Sequence, residues 1–326
     1  MARVLITGGA GYVGSICSRQ LLQSGYDVVI IDDLSTGHPE AVPVGAEFHQ
    51  IDYGDRAAVA CVLRQHRIDA VFHFAAKALI PESVSNPGWF FDVNVASGIA
   101  FLETLHDFGV RRFVFSSSAA VYGNPQAVPI KEDDPKEPVN SYGETKLMFE
   151  RILRWYASAY GWTAAAFRYF NASGAIEDAG ENHRPETHVI PLLLDVAAGE
   201  REHFEVYGDD YETADGTCIR DYVHVSDIAA AHLLALEMPQ SAGMHAYNIG
   251  TGTSYSVREV IAAVEEVTGQ KIPVRVAKRR PGDPAVLCAS PEKLKRELAW
   301  EPASSDLRSI VRSAWEWKRR GVPAAA

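Results

Sequence analysis

The chain lacks the features that mark secreted, membrane-spanning and nucleic-acid-binding proteins. Cysteine occurs four times in 326 residues, at Cys17, Cys61, Cys218 and Cys288, with no CxxC pair. That scatter argues against a disulfide framework or a cysteine-built zinc site and fits a reducing compartment. No run approaches the ~18 apolar residues of a membrane helix. The opening MARVLITGGAGYVG is too briefly apolar, and too soon broken by glycine, to read as a signal peptide. Positive charge is in deficit: 31 Lys and Arg face 42 Asp and Glu, a net charge of -11. Global attraction to nucleic acid or to an anionic membrane is therefore not expected. No repeat period is visible, and only the tail VPAAA is low in complexity. A hydrophobic fraction of 47% is ample for a large core. The expectation is a cytoplasmic enzyme or binding protein in which cations matter only locally.

What is present is a strict alternation. RVLIT, DVVIID, EFHQID, AVFHFAA and RFVFSSS read as β-branched or aromatic strands. Helical patterns separate several of them: GSICSRQLLQSG, RAAVACVLRQH and VNVASGIAFLETLHDFG. This spacing predicts βαβ units and an α/β, doubly wound, Rossmann-type parallel sheet. AFRYFN would be a sixth strand, and YNIG (247–250) would return to the sheet as another. From Asn171 the texture turns irregular, with helical patterns resuming at VSDIAAAHLLALEM, SVREVIAAVEEVTG and LRSIVRSAWEWKRR. The expected division is residues 1–172 plus roughly 217–252 as a dinucleotide-binding domain. Residues 173–216 and 253–326 would form a smaller mixed α/β substrate-binding lobe.

The strand RVLIT runs straight into GGAGYVG, where Gly8, Gly11 and Gly14 fit G-x-x-G-x-x-G. Such glycines let backbone turn tightly and approach a pyrophosphate, whose charge then sits at a helix N-terminus. A glycine triplet alone is weak, but here a strand precedes it, a helix follows, and Asp32 ends the next strand. An acid there accepts hydrogen bonds from the adenosine ribose and repels a 2′-phosphate, which favours NAD over NADP. The plain alternative is a βα turn with a surface aspartate.

Downstream, VFSSSAAVYG puts Ser118 at the C-terminal end of a strand, the edge where open α/β sheets bind ligands. SYGETK then places Tyr142 and Lys146 one helical turn apart at the start of a helix. A free phenol, with a pKa near ~10, is a poor base at neutral pH. An ammonium and an oxidised nicotinamide beside it would favour the phenolate. A serine hydroxyl could share the proton or orient an alcohol. Alone, a Y-x-x-x-K pair is more simply a half-buried aromatic beside a solvated cation. After a dinucleotide turn it reads as alcohol-oxidation chemistry.

The combination GGAGYVG, Asp32, FHFAAKALIPESV, FSSSAAVYG and YGETK resembles the extended short-chain dehydrogenase/reductase superfamily. RYFNASGA, ETHVIP, YGDDYETADGTCIRDYVHVSD, YNIGTG and RRPGDPAVL narrow the resemblance to its nucleotide-sugar 4-epimerases acting on UDP-glucose and UDP-galactose. It covers essentially the whole chain, and the later motifs are the more specific. The resemblance implies a tightly held NAD that takes and returns the hydride at C4 of a UDP-sugar, with Tyr142 as base, Lys146 tuning it and Ser118 beside it. It implies cofactor contacts at Tyr12, Val13, Asp52, Tyr53, Phe74, Ala75, Asn94 and Tyr169. Substrate contacts would fall at Asn171, His188, Val189, Glu205, Tyr207, Arg220, Arg280 and Asp283, with the two arginines on the diphosphate. A homodimer contact through the helices around Phe101 and Arg151 is a further expectation.

Three positions depart from the pattern. Ala120 stands where the family usually has Ser or Thr. Lys77 lies one position away from a cofactor-contacting lysine of some members. Leu287 aligns with the sugar-pocket gate and is intermediate in size, so N-acetylated hexoses and pentoses stay open as substrates. A 4,6-dehydratase is disfavoured because the turn before VYG is Ala119-Ala120 and carries no acid. A non-catalytic NAD-binding scaffold is disfavoured by the intact tyrosine and lysine. Arg280 could equally belong to a solvated basic loop with Lys278 and Arg279, Arg220-Asp221 to a structural pair, and Asn171 or Asp52 to simple caps. His183 and His188, five residues apart on an irregular segment, are not expected to bind metal.

Overall fold

The computed structural model describes residues 2–280 and 283–320. Along the chain run β1 (Arg3–Thr7), α1 (Tyr12–Gln23), β2 (Asp27–Asp32), β3 (Glu47–Gln50), α2 (Arg56–Gln65), β4 (Ala70–His73), α3 (Ile80–Ser85), α4 (Pro87–Phe91), α5 (Ser97–Asp107), β5 (Arg112–Ser118), α6 (Ser141–Tyr160) and β6 (Thr163–Tyr169). There follow β7 (Asn171–Ser173), α7 (Val189–Ala197), β8 (Phe204–Tyr207), β9 (Ile219–His224), α8 (Val225–Glu237), β10 (Gly243–Ile249), β11 (Ser254–Ser256), α9 (Val257–Thr268), β12 (Val274–Ala277), β13 (Val286–Leu287), α10 (Glu292–Leu298) and α11 (Leu307–Arg320). Among the described residues no helix is long and apolar enough to cross a membrane.

Seven strands form one sheet in the order β10-β6-β5-β4-β1-β2-β3, and β1 to β6 pair in parallel. The order reverses at β1, between β2 and β4, so the C-terminal ends of β1 and β4 flank the crevice that such sheets use for ligands. Leu5, Val29, Ile31, Val71, Phe113 and Phe115 from the strands pack with Val59, Phe101, Leu105, Phe149 and Leu153 from α2, α5 and α6. All eleven are buried. The helices sit close enough that a Cβ on Gly98 would meet the Phe149 ring at 2.4 Å.

The chain divides into two compact units. The first comprises Met1–Gly123, Pro135–Tyr169 and Ala229–Tyr247; the second comprises Asn124–Asp134, Phe170–Ile228 and Asn248–Ala326. This differs from the expected division, which gave 217–252 to the first domain. β9 pairs with β7, β11 and β13 in a small sheet of its own, so only the segment leading through α8 into β10 returns. β10 does return to the large sheet, beside β6, where YNIG was expected. In the second unit β8 and β12 make a parallel pair, and Ile190, Leu193, Phe204, Val206, Val260, Val264 and Ile310 form its core.

Candidate active site

The turn after β1 leaves little room for side chains. A Cβ on Gly8, whose φ is +71°, would lie 2.6 Å from the Ala75 nitrogen, and one on Gly14 would lie 2.1 Å from the Gly8 carbonyl oxygen. At Gly11 the added carbon would meet only that same oxygen, at 3.3 Å, so this side of the turn admits a ligand. Tyr12 and Val13 open α1 with no side-chain cap at Gly11. The helix thus offers amide N–H groups and a positive dipole end to an anion. Asp32 lies at the end of β2, and its carboxylate accepts from the Ala10 N–H (3.0 Å) and the Leu34 N–H (2.9 Å). Burial pushes its carboxyl pKa up, and the two amide donors partly oppose that. Pyrophosphate-accepting backbone beside a buried acid fits NAD.

The other expected cofactor residues divide. Phe74 and Ala75 donate their N–H groups to the Thr7 carbonyl, which ties the end of β4 to the end of β1. The Asn94 carbonyl accepts from the Lys77 N–H (2.8 Å), while its amide donates to the Lys77 carbonyl (2.9 Å) and to the Thr145 hydroxyl (3.1 Å). Asn94 therefore pins this segment to α6. The Lys77 ammonium donates to Ser35 Oγ and lies 4.7 Å from the centre of the Trp89 ring. Asp52 accepts from the Gly54 N–H in a local turn. The Tyr53 hydroxyl donates to the Val93 carbonyl, and its ring packs edge-on to His73 and Phe101. Its side chain is a core element, which leaves its backbone groups for any ligand. Tyr169 is buried with its hydroxyl 2.7 Å from His232 Nε2.

Ser118, Tyr142 and Lys146 come together at the C-terminal end of β5. Asn140 caps α6 by accepting from the Gly143 N–H, and Gly161 ends the helix at φ +69°. Gly143 is needed here because a Cβ would stand 2.5 Å from the Ala120 carbonyl oxygen. That close approach brings Tyr142 into a hydrogen bond with Ser118. Tyr142 keeps some accessible surface, yet its hydroxyl lies in a dense environment that pushes the phenol pKa up, and the Ser118 bond opposes the rise. Lys146 is buried, donates to the Ser116 carbonyl at 2.7 Å and stands 5.7 Å from the centre of the Tyr142 ring. Burial lowers its pKa to about 7, with Glu150 pulling the other way.

The same helix face carries a group that the sequence reading missed. Glu150, one turn beyond Lys146, is 1% exposed and takes a bidentate contact from Arg168, at 2.9 and 2.7 Å, and a hydroxyl from Ser117 at 2.6 Å. Arg168 also donates to the Tyr122 hydroxyl. The stripe Tyr142, Lys146, Glu150 at one-turn spacing was the available signal. Its partner on β6 was not.

In the second unit, Arg220 on β9 pairs with Asp283 at 2.6 Å, and its register partner is Leu287. Arg280 lies 3.9 Å over the Tyr207 ring, whose hydroxyl donates to Glu205 at 2.7 Å. Arg279 stacks on Tyr211 and pairs with Asp210, so neither arginine is a freely solvated charge. The Asn171 amide donates to the Asp221 carbonyl, which supports its reading as a structural group as well. His188 and Val189 open α7, which has no side-chain cap. The buried Asp221, weighed above as a structural partner of Arg220, instead accepts from the Thr251, Gly252 and Ala289 N–H groups.

Known proteins share both sequence and architecture. A UDP-glucose 4-epimerase of Lacticaseibacillus casei is 47% identical over 317 residues, 96% of each chain. One from Corynebacterium glutamicum is 48% identical over 96% of this chain and 94% of its own. The crystal structure of UDP-glucose 4-epimerase from Brucella ovis in complex with NAD matches with a TM-score of 0.93 and 44% identity, over 97% of this chain and 98% of that one. The Bifidobacterium longum enzyme in complex with NAD+ and UDP matches at 0.94 and 36% identity, over 98% of both. Residues 4–250 match the model of one family, and with the glycine turn, Asp32 and the Ser118–Tyr142–Lys146 set in place this chain belongs to the NAD dependent epimerase/dehydratase family.

Proposed function

We propose that this chain interconverts UDP-galactose and UDP-glucose through a 4-keto sugar, with NAD as a resident cofactor. The Ser118–Tyr142–Lys146 set, on the same sheet edge as the glycine turn, carries this reading. Gly8 to Gly14 and Asp32 would hold NAD, which supplies a reversible hydride acceptor and, when oxidised, a positive charge. The residues of the chain manage the proton. Tyr142 takes it from the sugar 4-hydroxyl and later returns it, so its oxygen must pass through the phenolate. Burial opposes that ionisation; the Ser118 hydrogen bond and the Lys146 ammonium favour it. Because the Lys146 pKa is lowered to about 7, this amine can gain or release a proton near neutrality beside the base.

Arg220 and Arg280 would take the diphosphate, as guanidinium forks suit that dianion. Glu205 and Tyr207 would frame the uracil, Asp283 the ribose, and Asn171, His188 and Val189 the diphosphate and sugar. The Arg220–Asp283 pair supports a pre-formed arrangement in which the acid holds the guanidinium in place. Leu287, beside Arg220, would gate the sugar and leave room for N-acetylated hexoses or pentoses as further substrates.

The finer reading is a cytoplasmic homodimer in galactose metabolism. Phe101 itself is fully buried, so the expected contact would use the outward faces of the same helices, where Ile99 and Trp155 are exposed. The test is to incubate the purified protein, with no added cofactor, separately with UDP-galactose, UDP-N-acetylglucosamine and UDP-xylose. Chromatography should show UDP-glucose from UDP-galactose, and nucleotide released on denaturation should absorb as NAD. No 4-epimer from any of the three would refute the proposal.

A further inference from the structure

We infer that Glu47, His49 and His66 form a binding site for a divalent transition-metal ion of the zinc class, apart from the residues assigned to NAD and the sugar nucleotide. Glu47 and His49 are two residues apart on β3, so both project from the same face of this edge strand. His66 caps the C-terminus of α2, its N–H bonded to the Val62 carbonyl. The fold thus brings one carboxylate and two imidazoles together from two elements. His49 Nε2 lies 3.1 Å and His66 Nε2 2.9 Å from the same Glu47 oxygen, and all three donor atoms lie within 4.8 Å of one another.

An ordinary ion pair would aim an imidazole N–H at the carboxylate. Here both Nε2 atoms are buried, and neither makes a hydrogen bond despite those short distances. Buried nitrogens without a partner are costly, and three donors converging without mutual hydrogen bonds is the arrangement a shared cation relieves. Donors about 2 Å from one tetrahedral ion stand about 3.3 Å apart, so the two Glu47–imidazole separations need to widen by only a few tenths of an ångström to admit one. Two histidines and a carboxylate, with solvent completing the shell, suit Zn2+ or its neighbours rather than Ca2+ or Mg2+. The second His/Glu group differs. His183 Nδ1 is hydrogen-bonded to Glu181 and His188 Nδ1 to Glu186, so these imidazoles are already satisfied within the chain. A bound ion would clip the outer strand of the sheet to the helix that follows it.

The test is a Zn2+ calorimetric titration of the chelator-dialysed protein with its resident nucleotide retained. The wild type is compared with Glu47→Gln, at an exposed strand position, and with His49→Ala/His66→Ala. One equivalent should bind to the wild type, at least about tenfold more weakly to Glu47→Gln, and not at all to the double variant. Zn2+ should raise the unfolding temperature of the wild type most, that of Glu47→Gln less and that of the double variant not at all, with turnover unchanged in Glu47→Gln. Identical isotherms for the wild type and either variant, or no binding to the wild type, would overturn the inference.

Discussion

Replacing Lys146 by Met should stabilise the nucleotide-free protein at low pH while abolishing turnover. The amine is 3% exposed, and burial lowers its pKa from 10.5 to about 7. That interval corresponds to about 5 kcal/mol of unfavourable free energy when the folded protein must hold the charged form. The sign follows from proton counting. Between pH 7 and 10.5 the unfolded chain binds a proton that the folded chain does not, so this group makes stability rise with pH across that window. Below pH 7 both states are protonated and the full cost applies; above 10.5 it vanishes. Methionine removes the charge but orphans the Ser116 carbonyl, which costs about 1–3 kcal/mol. The net expectation is a gain of about 2–4 kcal/mol at pH 6 that falls as pH rises and becomes a net loss by about pH 10. Urea unfolding of both proteins, followed by tryptophan fluorescence from pH 6 to 10, measures the difference. A gap independent of pH, or a variant less stable at pH 6, would refute the placement of a titrating, desolvated amine beneath the tyrosine.

Three further outcomes are expected. Tyr142→Phe loses one hydroxyl bonded to Ser118, so stability should change by about 1 kcal/mol. Its turnover of UDP-galactose should fall by about 10²–10⁴ with NAD retained, and wild-type turnover would remove Tyr142 from the mechanism. Asp32→Ala strips the acceptor from the Ala10 and Leu34 amides; it should weaken NAD retention and relax discrimination against NADP, as competitive reloading of stripped protein would report. Leu287→Tyr should lower the ratio of N-acetylated to plain hexose turnover by about tenfold, and an unchanged ratio would separate this position from the sugar.

Legibility in the sequence followed the range of the interactions involved. The glycine turn, the strand–helix alternation and the Tyr142–Lys146 pair are local patterns, and each stands where its spacing put it. Direction was harder to read. Tyr53 and Phe101 turn inward because side-chain orientation depends on what covers each helix and strand. Glu150 meets Arg168 only because α6 packs beside β6, and β9 leaves the main sheet because β7, β11 and β13 compete for it. The Glu47, His49 and His66 cluster is invisible as spacing, since the last member joins through the end of α2.

The contact between Gly143 and the Ala120 carbonyl has one more consequence. It sets by main-chain contact how near the start of the helix stands to the turn after β5, and so the distance that the tyrosine and serine side chains have left to span. Directed evolution of this chain should therefore find position 143 closed to every larger residue, while position 120 can be re-equipped with a hydroxyl without disturbing that spacing.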